Sequence, residues 1–140
     1  MKTIAAVALM TSLLLPGFVA EAGETEDIGK AQEAAKAWLA LTDGGQYGQS
    51  WEEAASLFKL AITRPDWEKT IRSARAPLGA VKSRQLKSAT YKGSLPGAPD
   101  GQYVVIQYDS QFENKAAAIE TITPMLDKDG HWRVSGYFIR

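Results

Sequence analysis

The chain has 140 residues, 45% of them apolar and 23% charged, the composition of one folded globular domain. Its 16 basic and 16 acidic residues cancel, so there is no electrostatic footprint for nucleic acid and no polybasic membrane-surface signal. It has no cysteine and a single histidine, His131. That excludes disulfides, thiolate metal sites, iron–sulfur clusters, cysteine nucleophiles and any site with two histidine ligands.

The first segment reads as an export signal. Lys2 supplies a positive start, Thr3 to Phe18 is an apolar run centred on Leu13-Leu14-Leu15, and Ala20-Glu21-Ala22 fits a small-x-small cleavage site. Cleavage is expected after Ala22, leaving residues 23–140 as one domain. The run is short and broken by Pro16 and Gly17, which argues against a membrane span, and no second apolar stretch of spanning length follows. The expected location is therefore the periplasm or the medium, with no stable membrane insertion after processing.

Gly23 to Asp27 is a short acidic lead, expected to be flexible. Ile28, Ala31, Ala35, Trp38 and Leu39 then recur at helical spacing, and Gly44-Gly45 can end that helix. Ser50-Trp51-Glu52-Glu53 has the form of a capping box, so a second helix is expected from Ser50. Its buried stripe would be Trp51, Ala54, Ala55, Phe58 and Ala61 or Ile62. Thr63-Arg64-Pro65-Asp66 opens a third helix that carries Trp67, Ile71 and Ala74 and ends by Pro77 and Gly79.

Beyond Gly79 the period falls toward two. Strands are expected over 82–91, 103–112, 116–126 and 132–139, with a Pro/Gly turn cluster at 95–101 and a hairpin turn at 127–130. Helices followed by a meander of strands predict an α+β fold, with the N-terminal helices on one face of a curved, cone-like antiparallel sheet of about four strands. With two-residue and even-numbered turns, one face carries Val104, Ile106, Tyr108, Ile119, Thr121, Thr123, Met125, Trp132, Val134 and Phe138, the expected core face. The other carries Tyr103, Val105, Gln107, Asp109, Glu120, Ile122, Arg133, Tyr137 and Ile139. An odd-length loop would exchange the faces.

The motifs of chemistry are incomplete. Gly48-Gln49-Ser50-Trp51-Glu52 lacks the final glycine of a nucleophile elbow and follows a helix instead of a strand. His131 beside a turn reads as a solvent-exposed residue. Asp127-Lys128-Asp129-Gly130 lacks the distal glutamate of a calcium loop, because Phe138 stands there. No metal site and no cofactor are expected.

Asp109 and Glu120 are expected on one sheet face with Arg133 a strand further on, which makes them weak candidates for paired acid–base work. A surface ion network is the plainer reading. Arg84 and Lys115, with Arg75, could hold an anion. Trp51 could line a pocket, though core packing is the default for each helix tryptophan. Tyr137 lies on the mixed outer face, which could meet solvent or a partner subunit.

Several ordered pieces carry a family resemblance. They are Ala35-x-x-Trp38-Leu39, Ser50-Trp51 with Leu57-Phe58, Trp67, Arg75-Ala76-Pro77-Leu78-Gly79 and Ser83-Arg84. Leu95-Pro96-Gly97-Ala98-Pro99-Asp100-Gly101, Tyr103-Val104-Val105, Phe112-x-Asn114-Lys115, Glu120-Thr121 and Trp132-Arg133-Val134-x-Gly136-Tyr137 follow. Over about residues 33 to 140 the chain resembles the bacterial family of domain of unknown function 4019, a match that brings no chemistry with it. The order of elements is also similar to the nuclear transport factor 2-like fold, which hosts binding domains, dimer modules and some isomerases and dehydratases. Enzymes of that type place an acid or a histidine in the cone, and the expected core face here has neither.

The sequence thus favours a non-enzymatic domain that binds a small apolar ligand or a protein partner. A lyase or isomerase using Asp109 or Glu120 as base, and a homodimer joined through the outer sheet face, are the alternatives.

Overall fold

The computed structural model describes residues 18–140, with side chains from Gly23 onward. The segment expected to be an export signal lies outside the described residues, apart from the helical backbone of 18–22. Four helices precede four strands: α1 (Phe18–Asp43), α2 (Tyr47–Glu52), α3 (Ser56–Ala61), α4 (Arg64–Arg75), β1 (Val81–Lys92), β2 (Tyr103–Phe112), β3 (Lys115–Leu126) and β4 (Trp132–Ile139). The strands form one antiparallel sheet in the order β1-β2-β3-β4, open at both edges. The architecture is α+β, as the element order predicts. No helix among the described residues is long and apolar enough to cross a membrane.

The expected flexible lead, Gly23 to Asp27, is instead part of α1. The helix buries Ala31, Ala35, Trp38, Leu39 and Thr42 along one stripe. It stops in a Schellman turn: the Gln46 N–H reaches the Leu41 carbonyl at 2.8 Å, the Gly45 N–H reaches Thr42, and Gly45 takes a left-handed φ of 73°.

The single helix expected from Ser50 is two short ones, α2 and α3, separated at Glu53–Ala55. Tertiary bonds hold the break open. Ala55 is extended and gives its N–H to the Val134 carbonyl of edge strand β4 at 2.8 Å, and the Ser56 N–H that starts α3 is taken by the Asp127 carboxylate at 3.0 Å. Ser50 is not a cap. It lies inside α2, fully buried, where its hydroxyl donates to the Tyr47 carbonyl at 2.6 Å and accepts from the Trp67 indole at 2.9 Å. Its carbonyl accepts the Trp38 indole N–H at 2.8 Å.

Thr63 does cap α4, accepting from the Asp66 N–H. The buried stripe of α4 is Trp67, Ile71 and Arg75; Ala74 is exposed. Trp38, Phe58, Trp67 and Tyr137 pack as neighbouring rings, with centroids 4.9–6.3 Å apart. Beneath them lie Val104, Ile106, Ile122 and Val134 of the sheet.

The strand ranges agree with the sequence reading, but two bulges and one loop change the faces. β2 and β3 begin with Phe112 opposite Lys115, as a two-residue turn requires. An extra residue at Ala116–Ala117 then shifts the register, so Ser110 faces Ala118, Tyr108 faces Glu120 and Ile106 faces Ile122. The loop to β4 has odd length, since Leu126 faces Trp132. A second bulge leaves Ser135 unpaired between Pro124↔Val134 and Thr123↔Gly136. As a result Glu120, Ile122, Tyr137 and Ile139 share the helix-covered face. Ile119, Thr121, Thr123, Met125 and Phe138 share the outer one, correcting the expected face assignment.

Candidate functional site

The register shift matters chemically because it carries a carboxylate into the core. Glu120 is fully buried. Its oxygens accept from Arg84 Nε at 2.6 Å, Arg84 Nη2 at 3.1 Å, Ser110 Oγ at 2.6 Å and the Tyr137 hydroxyl. Arg84 in turn grips Asp43, at the end of α1, through Nη1 at 2.6 Å and Nη2 at 2.7 Å. Arg75, itself 5% exposed, closes the chain with Nη2 2.8 Å from Asp43 and its guanidinium 5.0 Å over the Phe112 ring. Two arginines and two carboxylates therefore form a neutral cluster that ties α1 and α4 to β1 and β3.

Burial on its own would raise the Glu120 pKa. The hydrogen bonds from Arg84, Ser110 and Tyr137, with the Arg84 charge, outweigh it and hold the carboxyl below its ordinary range. Asp43 is lowered by the same balance, burial against Arg84 and Arg75. Burial, then the neighbouring Glu120 charge and hydrogen bond, push the Tyr137 phenol up. No buried side-chain nitrogen or oxygen lacks a partner among the described residues. Such a cluster holds charge in place. Four donors occupy the two oxygens of Glu120 and its pKa is lowered, whereas a general base works best with a pKa near the operating pH.

Of the candidates read from the sequence, the structure brings Arg84, Glu120 and Tyr137 together. Asp109 is not with them. It is exposed on the opposite face, against Ile119, so the expected carboxylate pair does not exist. Lys115 stands at the start of β3 opposite Phe112. Arg133 is bidentate to Asp129 at 2.7 and 2.8 Å and reaches Asp127 at 3.4 Å. Trp51 is half-buried, with its indole N–H on the Ile62 carbonyl at 2.9 Å and the Lys59 ammonium 5.6 Å from its ring. His131 is exposed in the β3–β4 turn. No group of three acidic or histidine side chains among the described residues is placed to hold a metal ion.

A mainly apolar cleft of about 330 Å³ lies at the end of the sheet, between α3 and the β1–β2 connection. Leu57 and Leu60 of α3 form one wall, Pro99 and Gly101 the other, and Tyr103 and Met125 the floor, while Asp100 and Lys128 stand at its edge. The far wall is fixed. The Tyr103 hydroxyl donates to the Pro99 carbonyl at 2.6 Å, and the Gly101 N–H to Gly93 at 3.0 Å. Asp127 fixes the near wall by receiving the N–H and hydroxyl of Ser56. Leu60 is 86% exposed, the most exposed large apolar side chain described. The sequence reading passed over this cleft. Its one legible signal was that Leu57 and Leu60 are apolar yet stand off the stripe that Ala54, Ala55 and Phe58 bury.

Fold and site together define a helix-covered antiparallel sheet with a neutral, partly buried ion cluster and an apolar end cleft. The chain belongs to the family of proteins of unknown function DUF4019, whose model matches residues 34–137. No curated protein matches it.

Proposed function

We propose that this domain binds a small apolar molecule in the cleft between α3 and the β1–β2 connection. The observation that carries the reading is the mainly apolar lining: leucine, proline, tyrosine and methionine side chains, with Ser56, Asp100, Asp127 and Lys128 among them, around about 330 Å³, between two walls each held by hydrogen bonds. Small-molecule sites are concave, mostly apolar and about 300–1,000 Å³. Exposing Leu60 at the lip forgoes roughly 1.5–3 kcal/mol of burial, which a bound apolar ligand would recover.

Titration with the neutral fluorophore N-phenyl-1-naphthylamine tests the reading. Saturable fluorescence enhancement is expected, weakened roughly tenfold or more in Leu57→Glu, where a charge must be desolvated on binding. Leu60→Glu, at an exposed position, should weaken it too without altering the fold by circular dichroism. No saturable signal, or one that both variants leave intact, contradicts the proposal.

We also propose that the domain works outside the cytosol after cleavage at Ala22. In support, the core contacts described for α1, from Ile28 through Ala31, Ala35, Trp38 and Leu39, all lie beyond the expected cleavage point. Mass spectrometry of the exported protein should give Gly23 as its first residue. Retention of Met1 in that material contradicts it.

A further inference from the structure

A second cleft, of about 240 Å³, lies between α1 and β1, away from α3. We propose that it binds a small organic anion with an apolar body, a carboxylate of medium chain length. Its lining includes Lys36 and Leu39 of α1, Val81, Lys82 and Arg84 of β1, and Tyr108 of β2. No acidic side chain lines it. Lys36 and Lys82 are exposed, and neither has an ion partner among the described residues.

The charges behind the cleft do not cancel these two lysines. Asp43 and Glu120 are already matched by Arg75 and Arg84, so both lysine charges remain as a positive excess at the mouth. The Arg84 guanidinium is locked between two carboxylates and forms a rigid wall, with only part of its donor capacity left for a ligand. The Tyr108 hydroxyl makes no hydrogen bond within the described protein and is a further donor. Leu39 and Val81 supply an apolar part of the lining, and Leu86, 53% exposed, lies across the strands from Tyr108. Donors and cations at the rim with an apolar part of the lining match a carboxylate head on a short hydrocarbon tail.

Calorimetric titration with octanoate, with 1-octanol as the uncharged comparison, tests this. Octanoate is expected to bind roughly tenfold or more tighter than octanol, the order that two partly exposed ion pairs contribute, and to weaken as salt rises. The double variant Lys36→Glu/Lys82→Glu should abolish that preference. Both positions are exposed, so its melting temperature and its N-phenyl-1-naphthylamine binding in the α3 cleft should stay unchanged. Equal binding of octanoate and octanol overturns the proposal. So does octanoate binding that survives the double lysine variant but is lost in Leu57→Glu, which would put the carboxylate in the other cleft.

Discussion

At the scale of single residues, Glu120 is the position where sequence and structure differ most in meaning. Read as a surface carboxylate on the outer face, it is a weak candidate base. Buried with four donors on its two oxygens, it is a fixed negative charge on which Arg84 and Tyr137 converge. Removing one partner of such a cluster leaves the others uncompensated, so Glu120→Ala should destabilise the fold by about 3 kcal/mol. Because Glu120 and Asp43 have folded pKa values below their unfolded ones, the unfolded chain binds more protons in acid. Their contribution is complete above about pH 5 and is lost as pH falls through the folded values. Tyr137 works in the opposite direction. Its raised pKa makes stability fall as pH climbs above about 10, where the unfolded phenol ionises first. Urea denaturation across pH should therefore show a plateau with losses at both ends, and Glu120→Gln should flatten the acid limb. An unchanged acid limb in Glu120→Gln would contradict the role given to this carboxylate.

At the scale of elements, α3 shows how short structure is held from a distance. A helix of six residues with Ala55 at its N-cap has no local side-chain cap. Asp127, 71 residues away, takes the Ser56 N–H instead and joins the helix to the β3–β4 turn. Asp127→Ala should cost about 1–2 kcal/mol, the range of a lost N-cap, and should speed hydrogen exchange in α3 before the sheet. Exchange that rises equally everywhere would count against a local role.

What the sequence could reveal follows the same division. Strand and helix existence was legible because alternation in β2 and β4 and the Thr63-Arg64-Pro65-Asp66 start are local signals. The faces were not. Pro124 inside β3 is a local mark of the second bulge, since proline has no N–H to give the ladder. The first bulge falls among Ala116, Ala117 and Ala118, where no change of polarity betrays an extra residue, and it alone moved Glu120 indoors. Likewise the Ser50 capping box was locally sound. It lost to the Trp38 and Trp67 indoles, which need buried acceptors and find them on Ser50.

At the scale of the molecule, the polar and apolar halves of the interior have separate tasks. The ion cluster fastens α1 and α4 to β1 and β3, and the ring cluster of Trp38, Phe58, Trp67 and Tyr137 fills the space beside it. The apolar ligand proposed above would sit at the rim of this interior, where α3 meets the β1–β2 connection. Backbone amide NMR of residues 23–140, titrated with N-phenyl-1-naphthylamine, tests that assignment most directly. The account predicts saturable shifts concentrated at Leu57, Leu60, Gly101 and Met125, with Ile119, Thr121 and Phe138, further along the outer face, unmoved. Shifts absent from the first four, or centred on the last three, would contradict it.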